Sequence, residues 1–539
     1  MTLFGLALRS HRTGGIATAV IGGFAGILNA VAYAQIAGST HEERVVFAHS
    51  MELLGRQLTY LLPAPVQLDT MAGYLTWRDF STVALVLAVW AMLAATGAGR
   101  GDEEKGLAEE WLAVGVSRTR WLATRTAAFV VVSIASVALT LAVTAFGAAI
   151  ANDALPLDRL ATLALPILAL TLWGFGLGLF VAQLVTTRRI ASVTATIVLV
   201  ALFTVNSSVR AGGSPTALAW LSPFYLFDRS TPLLQNGKVD VAASLAIVLI
   251  AAALVGLSIW AFGRRDIGGP LFRGRVRTGR PVRLPARDPL LRLPVLATID
   301  QQRGWIVGWG AALAVLAYFM ASLAHSIVES FKDVPAMQVY FQRAGISGAG
   351  DVVGVSWFST ALLILAIFAV AQVNAWAADD AEGRLELTLA AGASRPRIVL
   401  ERIAALLIAA GIVAAVSSVA VYLGAQAFDI PIPVGRLALA TALMLPVVFA
   451  FGAVGHALVG WRPRLAVVLV AGVAVVAYFI QQFAPFFDIP SWVARTSPFV
   501  LYGTPMTSVD WGGAATLTVI GTVFTLVGIA AIEGRDIGR

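Results

Sequence analysis

The side chains with the means to do chemistry are gathered in one short pattern that occurs twice. The first copy spans 101–120 and carries Asp102, Glu103 and Glu104, then Gly106, Glu109, Leu112, Gly115, Ser117, Arg118 and Arg120. The second spans 378–397 and carries Asp379, Asp380 and Glu382, then Gly383, Glu386, Leu389, Gly392, Ser394, Arg395 and Arg397. Seven pairs, from Gly106/Gly383 to Arg120/Arg397, share an offset of 277 positions with no gap, so the segment reads as an internal duplication. Carboxylates and guanidinium groups set between long apolar runs suit electrostatic contact, not bond-making. This is where a membrane protein would receive a push from a soluble partner.

Catalysis finds little support. No nucleophile–base–acid constellation is visible, and the absence of cysteine removes both a disulfide framework and a thiol metal site. There is no Gly-x4-Gly-Lys-Ser/Thr loop; the chain's one Gly-Lys, Gly237–Lys238, is followed by valine. The chain is therefore expected to be no enzyme, to bind no cofactor, and to leave any nucleotide site to another polypeptide.

The copied segments need an element to hold them. Asp102, Glu103 and Glu104 favour a helix N-terminus through the dipole. Ala108, Trp111 and Leu112 then share one face, as do Leu385 and Leu389. Gly115 and Gly392 are placed to stop the helix and to act as corner hinges. Ser117 suits the cap of the next helix, and Pro396 falls in that helix's first turn, where proline is tolerated. The expectation is a short helix joined through a tight corner to a spanning helix, its apolar face and carboxylates offered to a partner. An ordinary loop on the membrane surface is the plainer alternative, and duplication argues against it.

Composition places these segments in a membrane. Hydrophobic residues are 58% of the chain and charged ones 13%, with mean hydropathy +0.82. Twelve runs approach or exceed the roughly 20 apolar residues a spanning helix needs: 16–36, 80–98, 124–150, 158–184, 190–209, 240–262, 305–325, 357–377, 403–427, 435–459, 465–484 and 512–531. The expected fold is an all-α polytopic membrane protein, with no cleavable signal peptide apparent. Putting both termini and both copied segments on one side gives that side 27 of the 38 Lys+Arg and 15 of the 30 Asp+Glu, or +12. The other side then has 11 and 15, or −4. The positive-inside rule makes the +12 side, and both termini, cytoplasmic. The high isoelectric point thus reports topology, and nucleic acid is not an expected partner.

Two further landmarks recur in order. Ser222-Pro-Phe224 returns as Ser497-Pro-Phe499, and Arg265-Asp-Ile-Gly268 as Arg535-Asp-Ile-Gly538. The chain is read as a first six-helix half over 1–263, a linker over 264–304 with ten Arg and five Pro, and a second half over 305–539. The linker suits a solvated tether, or contact with anionic lipid or a partner. An even number of spans per half predicts two parallel repeats about a pseudo-twofold along the membrane normal, with a pathway between them. Residues 37–79 are expected outside, with a helix on the outer surface or capping the bundle.

By these boundaries no Lys, Arg, Asp or Glu lies well inside the hydrocarbon, which weighs against an ion-coupled carrier. The polar residues within the spans are Asn29, Gln183, Asn206, Gln372, Asn374 and His456, read first as interhelical hydrogen-bonders. Asn29, Asn206, Phe180, Phe368, Asn374 and Phe449 are the candidates for a substrate pathway, and packing accounts for the aromatic residues equally well.

The run Glu382-Gly383-Arg-Leu385-Glu386-Leu-Thr-Leu389 resembles the coupling segment of ABC-2-type transporter permeases. The first copy departs from it, with Lys105 in place of the first Glu, Glu104 one position earlier, and Ala108 where the second has Leu385. The two fused six-span halves with Arg-Asp-Ile-Gly endings resemble the actinobacterial exporters of polyketide antibiotics, the tetronasin-resistance type. The resemblance implies two copies of a cytoplasmic ATPase subunit, one on each coupling helix, with ATP and Mg held by those subunits. It implies a permease of the bacterial plasma membrane that exports hydrophobic or amphipathic compounds. The implied partner contacts are Glu104, Glu109, Leu112, Gly115, Glu382, Gly383, Glu386, Leu389 and Gly392. An ion-coupled multidrug carrier and a non-transporting scaffold are the alternatives.

Overall fold

Backbone groups in hydrocarbon must bond within their own segment, and the fold of this chain is helical accordingly. The computed structural model describes residues 2–213, 215, 217–272, 293–331, 334, 338–339, 341–342, 346–483 and 489–535. Among them twelve helices are long and apolar enough to cross a membrane, and the one β feature is an isolated bridge, Thr504–Ser508. The protein is a multi-pass, all-helical membrane protein. The spans are α1 Leu3–Ile36, α2 Met71–Glu104, α3 Arg118–Ile150, α4 Leu157–Leu184, α5 Arg188–Arg210 and α6 Val241–Arg264, then α7 Pro294–Phe331, α8 Ala349–Ala381, α9 Arg395–Ala427, α10 Val434–Trp461, α11 Pro463–Phe483 and α12 Trp511–Glu533. The chain divides into two units, Met1–Pro281 and Val282–Arg539.

In the first unit α1 packs on α3, and α4 packs on both α2 and α6. Small residues let these helices approach closely, as membrane packing favours. A Cβ added at Gly174 or Gly178 would lie 2.3 Å from the carbonyl oxygen of Ala88 or Met92 respectively, so α4 lies directly on the backbone of α2. The helix His41–Gln57 begins with a capping box between Thr40 and Glu43, and it buries Phe47, Met51, Leu54 and Leu58. Phe47 meets Tyr33 edge-on at 5.6 Å, so this helix packs against the last turns of α1.

In the second unit α7 packs on α9, and α10 packs on α8 and α12. Its core gathers Trp357, Phe368, Phe451 and Phe499. α9 and α10 begin and end 277 positions after α3 and α4. The two Ser-Pro-Phe turns have the same local job. Ser222 Oγ donates to the Leu202 carbonyl at 2.8 Å and Ser497 Oγ to the Ala477 carbonyl at 2.7 Å, while each proline opens a short helix. The fully buried hydroxyls tie those turns to α5 and α11.

The helices overrun the apolar stretches, which corrects three readings. The first span, read as 16–36, begins at Leu3, where Thr2 caps α1. α7 starts at Pro294, inside the span assigned to the linker; of that linker, 273–292 lie outside the described residues, as do 536–539 of the second Arg-Asp-Ile-Gly. α2 starts at Met71, nine positions before the apolar run at 80. It contains two π-helical turns, Thr76–Phe80 and Gly97–Gly101, the kind of widening that recurs at functional sites. These turns bring Asp79 and Arg100 into α2 as buried ionisable residues. Both lie outside the apolar run read at 80–98, one before it and one after it, and towards the two ends of α2.

Candidate functional site

Both copied segments form the expected short helix between glycines: Leu107–Ala113 after Gly106, and Arg384–Ala390 after Gly383. Gly106 and Gly383 have φ of +73° and +71°, and Gly115 and Gly392 both have +91°, a region costly for other residues. Gly115 donates to the Leu112 carbonyl at 3.1 Å and Val116 to the Trp111 carbonyl at 3.2 Å, which is a complete Schellman stop. Ser117 then caps α3, its Oγ accepting from the Arg120 N–H at 3.3 Å.

Two expectations about these helices need correction. Asp102, Glu103 and Glu104 do not start the short helix; they end α2, against its dipole, and are held there by partners. The apolar face is not free for a partner either. Ala108 is fully buried in a core with Trp121, against which Trp111 packs at 6.4 Å. Leu385 is likewise buried, while Leu112 and Leu389 are half-buried. Glu109 and Glu386 are exposed and have no ion-pair partner among the described residues. Val114 and Leu387, 74% and 71% exposed, stand out as apolar groups on the outward side. Sequence reasoning missed both, because neither belongs to the helical stripe that it followed.

Glu104 accepts the backbone N–H of Arg188 at 2.6 Å, holding the first turn of α5. Glu382 pairs with Arg384. Glu103, nearly buried, is a junction. Its Oε2 accepts from Arg100 Nη1 at 3.0 Å, Arg265 Nη1 at 2.9 Å and the Gly268 N–H at 3.0 Å, and its Oε1 accepts from Arg265 Nη2. Arg265 Nε reaches Gln183 Oε1 at 2.8 Å, and Arg100 Nε reaches the Ala182 carbonyl at 2.9 Å. One carboxylate and two guanidinium groups leave one positive charge, which the carbonyls of Ala182 and Gly269 help to solvate. The Arg-Asp-Ile-Gly motif thus ties the ends of α2, α4 and α6.

Matching contacts form within each unit. Asp102 pairs with Arg125 at 2.6 Å and Asp379 with Arg402 at 3.2 Å. Glu103 pairs with Arg265, and Asp380 with Arg535 at 2.9 Å. Arg118 donates to the Arg265 carbonyl at 2.6 Å. Arg395 donates to the Ile532 and Glu533 carbonyls at 2.9 and 2.7 Å. A guanidinium at a helix C-terminus is favourable for the dipole and the orphan carbonyls alike. Each short helix is joined by its glycine corner to the next span, whose first arginine reaches the end of the unit's last span.

Of the six pathway candidates, Asn29, Phe180 and Asn206 lie in the first unit and Phe368, Asn374 and Phe449 in the second. Asn29 donates to Asp79 Oδ1 at 3.1 Å and Asn206 to Asp228 at 2.8 Å. Phe368 is buried against Trp309 at 5.8 Å, Phe180 is half-buried and Asn374 exposed. Phe449 fills a notch at Gly521, where an added Cβ would fall 2.3 Å from its ring. Gln302 and Gln372 bond reciprocally at 3.1 Å, as interhelical hydrogen-bonders should. His456 is buried beside Trp376 at 5.2 Å. No group of three or more His, Cys, Asp or Glu among the described residues is placed to hold a metal.

The chain matches the family model described as "Multidrug efflux system permease Rv1217c, C-terminal domain" over residues 1–263 and 291–532. It is also similar to the multidrug efflux system permease protein Rv1217c of Mycobacterium tuberculosis (strain ATCC 25618 / H37Rv). That protein is 26% identical over 491 residues, covering 88% of this chain and 84% of the relative. With its twelve spans and paired glycine-bounded corners, this chain belongs to the Rv1217c family of multidrug efflux permeases.

Proposed function

We propose that this chain is the membrane subunit of an ABC-type exporter, with a separate ATPase subunit docking on each short helix. The observation that carries the reading is the mechanical connection of those helices. Each is bounded by left-handed glycines, and the arginine opening the following span grips the last span of its unit. A push on the short helix is thereby delivered to several spans together. The repeated Asp–Arg and Glu/Asp–Arg pairs, with α9 and α10 placed 277 positions after α3 and α4, support two parallel repeats, one docking point each. The +12 balance of the side that carries both termini, the linker and the short helices supports a cytoplasmic position for them. Nucleotide and Mg belong to the partner in this reading, and the cargo is hydrophobic or amphipathic, polyketides included.

Val114→Cys and Leu387→Cys introduce single thiols into a chain without cysteine, which makes a direct test. A thiol-reactive photocrosslinker on either should capture a candidate ABC ATPase in membranes, with yield changing on ATP addition. Capture at neither position would remove the docking proposal.

One observation favours a second reading, an ion-coupled carrier. Asp79 is a carboxylate buried within a spanning helix, and carriers keep such groups despite an insertion cost of about 2.5–3.5 kcal/mol. Proteoliposomes containing only this chain separate the two readings: the carrier transports under an ion gradient, and the ABC subunit does not.

A further inference from the structure

We infer that a cavity between α1 and α2 in the first unit is a binding site for a lipophilic organic cation, with Asp79 as its counter-ion. The cavity measures about 410 Å³, within the range of roughly 300–1,000 Å³ typical of small-molecule sites. Its walls are largely apolar, with Ile21, Ala25, Val83 and Val86 around one polar corner formed by Asp79 and Asn29. Asn29 satisfies Asp79 Oδ1 at 3.1 Å. Asp79 Oδ2 is buried and has no hydrogen-bond partner among the described residues.

A carboxylate oxygen without a partner in a low-dielectric site is costly unless it takes a proton or a positive charge stands against it, and a bound cation favours the ionised form. The other charged group lining the cavity is Arg78. Its side chain is exposed and makes no hydrogen bond to Asp79 Oδ2 among the described residues, so that oxygen is open to a ligand. A ligand with a positive charge on an apolar body suits this lining, one acid set among aliphatic side chains. Ile21 and Val86 are 47% and 40% exposed, so the cavity opens on the apolar flank of the helices, where an amphiphile partitions.

Position and number follow. Asp79 is the ninth residue of α2, about 12 Å from its start at 1.5 Å per residue. It lies towards the end of α2 remote from the short helix. Ser356 stands 277 positions on, so the second unit carries no carboxylate at the corresponding position and one cation per chain is expected. Calling this cation a cargo rests on the exporter reading above; the binding stands without it.

The test uses the purified full chain in nanodiscs, without ATPase or nucleotide, and equilibrium dialysis with labelled tetraphenylphosphonium. Wild type should bind one cation per chain. Asp79→Asn should weaken binding at least tenfold, Asp79→Glu should retain most of it, and neutral triphenylphosphine oxide should bind wild type and Asp79→Asn alike. Ile21→Trp, at an exposed position, should obstruct the cavity and weaken binding while leaving Asp79 in place. Equal binding by wild type and Asp79→Asn overturns the proposal. If Asp79→Asn fails to fold, undiminished binding by Ile21→Trp overturns it instead. Because no ATPase is present, failure of the docking reading would leave this result unchanged, and failure here would leave ATPase coupling untouched.

Discussion

A carboxylate gripped by two guanidinium groups and a backbone N–H, as Glu103 is, holds its neighbourhood together by what its loss would leave behind. Removing one partner of a buried ion pair commonly costs about 3–5 kcal/mol, because the remaining charge stays buried. Glu103→Ala would strand Arg100 and Arg265, both nearly inaccessible to solvent. Thermal unfolding of the detergent-purified chain should show a destabilisation of that order. The exposed Glu109→Ala should lie within about 0.5 kcal/mol of wild type, as surface changes usually do. Equal effects would mean that the Glu103 junction does not stabilise the unit.

At the scale of elements, the corner glycines make a sharper prediction. Gly392 has φ +91° and open space around its absent Cβ, so an alanine there meets backbone strain and no clash. The left-handed region costs an L-residue about 1–2 kcal/mol. Gly392→Ala should therefore lower stability by that amount, whereas Gly435→Ala, in the first turn of α10 with equally open space and no positive φ, should be near neutral. Denaturation of both variants checks the difference.

These corners were legible in the sequence because glycine and N-cap serine have steep local preferences and the duplication showed them twice. The twelve spans were legible because hydropathy reads apolar length directly. Hydropathy marks where apolar residues stop, whereas a helix continues for as long as its backbone bonds are made. Asp79 consequently fell just outside an assigned span, although α2 encloses it. Asp102, Glu103 and Glu104 followed the N-terminal rule for acids, but their true position at the end of α2 depends on Arg265, Arg125 and the Arg188 N–H. Those partners are distant in sequence, and no local rule could supply them. Trp111 likewise turned inward because Trp121 awaited it.

For the molecule as a whole, the central claim is that two exposed, glycine-bounded helices receive the work of a partner's ATP hydrolysis. Membership of a multidrug efflux permease family makes transport the setting, and the internal connections of each unit suit the transmission of force. The most direct measurement is ATP turnover by the chain reconstituted with a candidate ABC ATPase, with and without a polyketide ionophore. Glu109→Arg, Glu386→Arg and the double reversal should be compared with wild type. All three should fold normally, since both side chains are exposed and unpaired among the described residues. The account predicts that each single reversal reduces ionophore-stimulated turnover several-fold and that the double reversal leaves only the ATPase's basal rate. Wild-type stimulation in the double reversal would contradict the account.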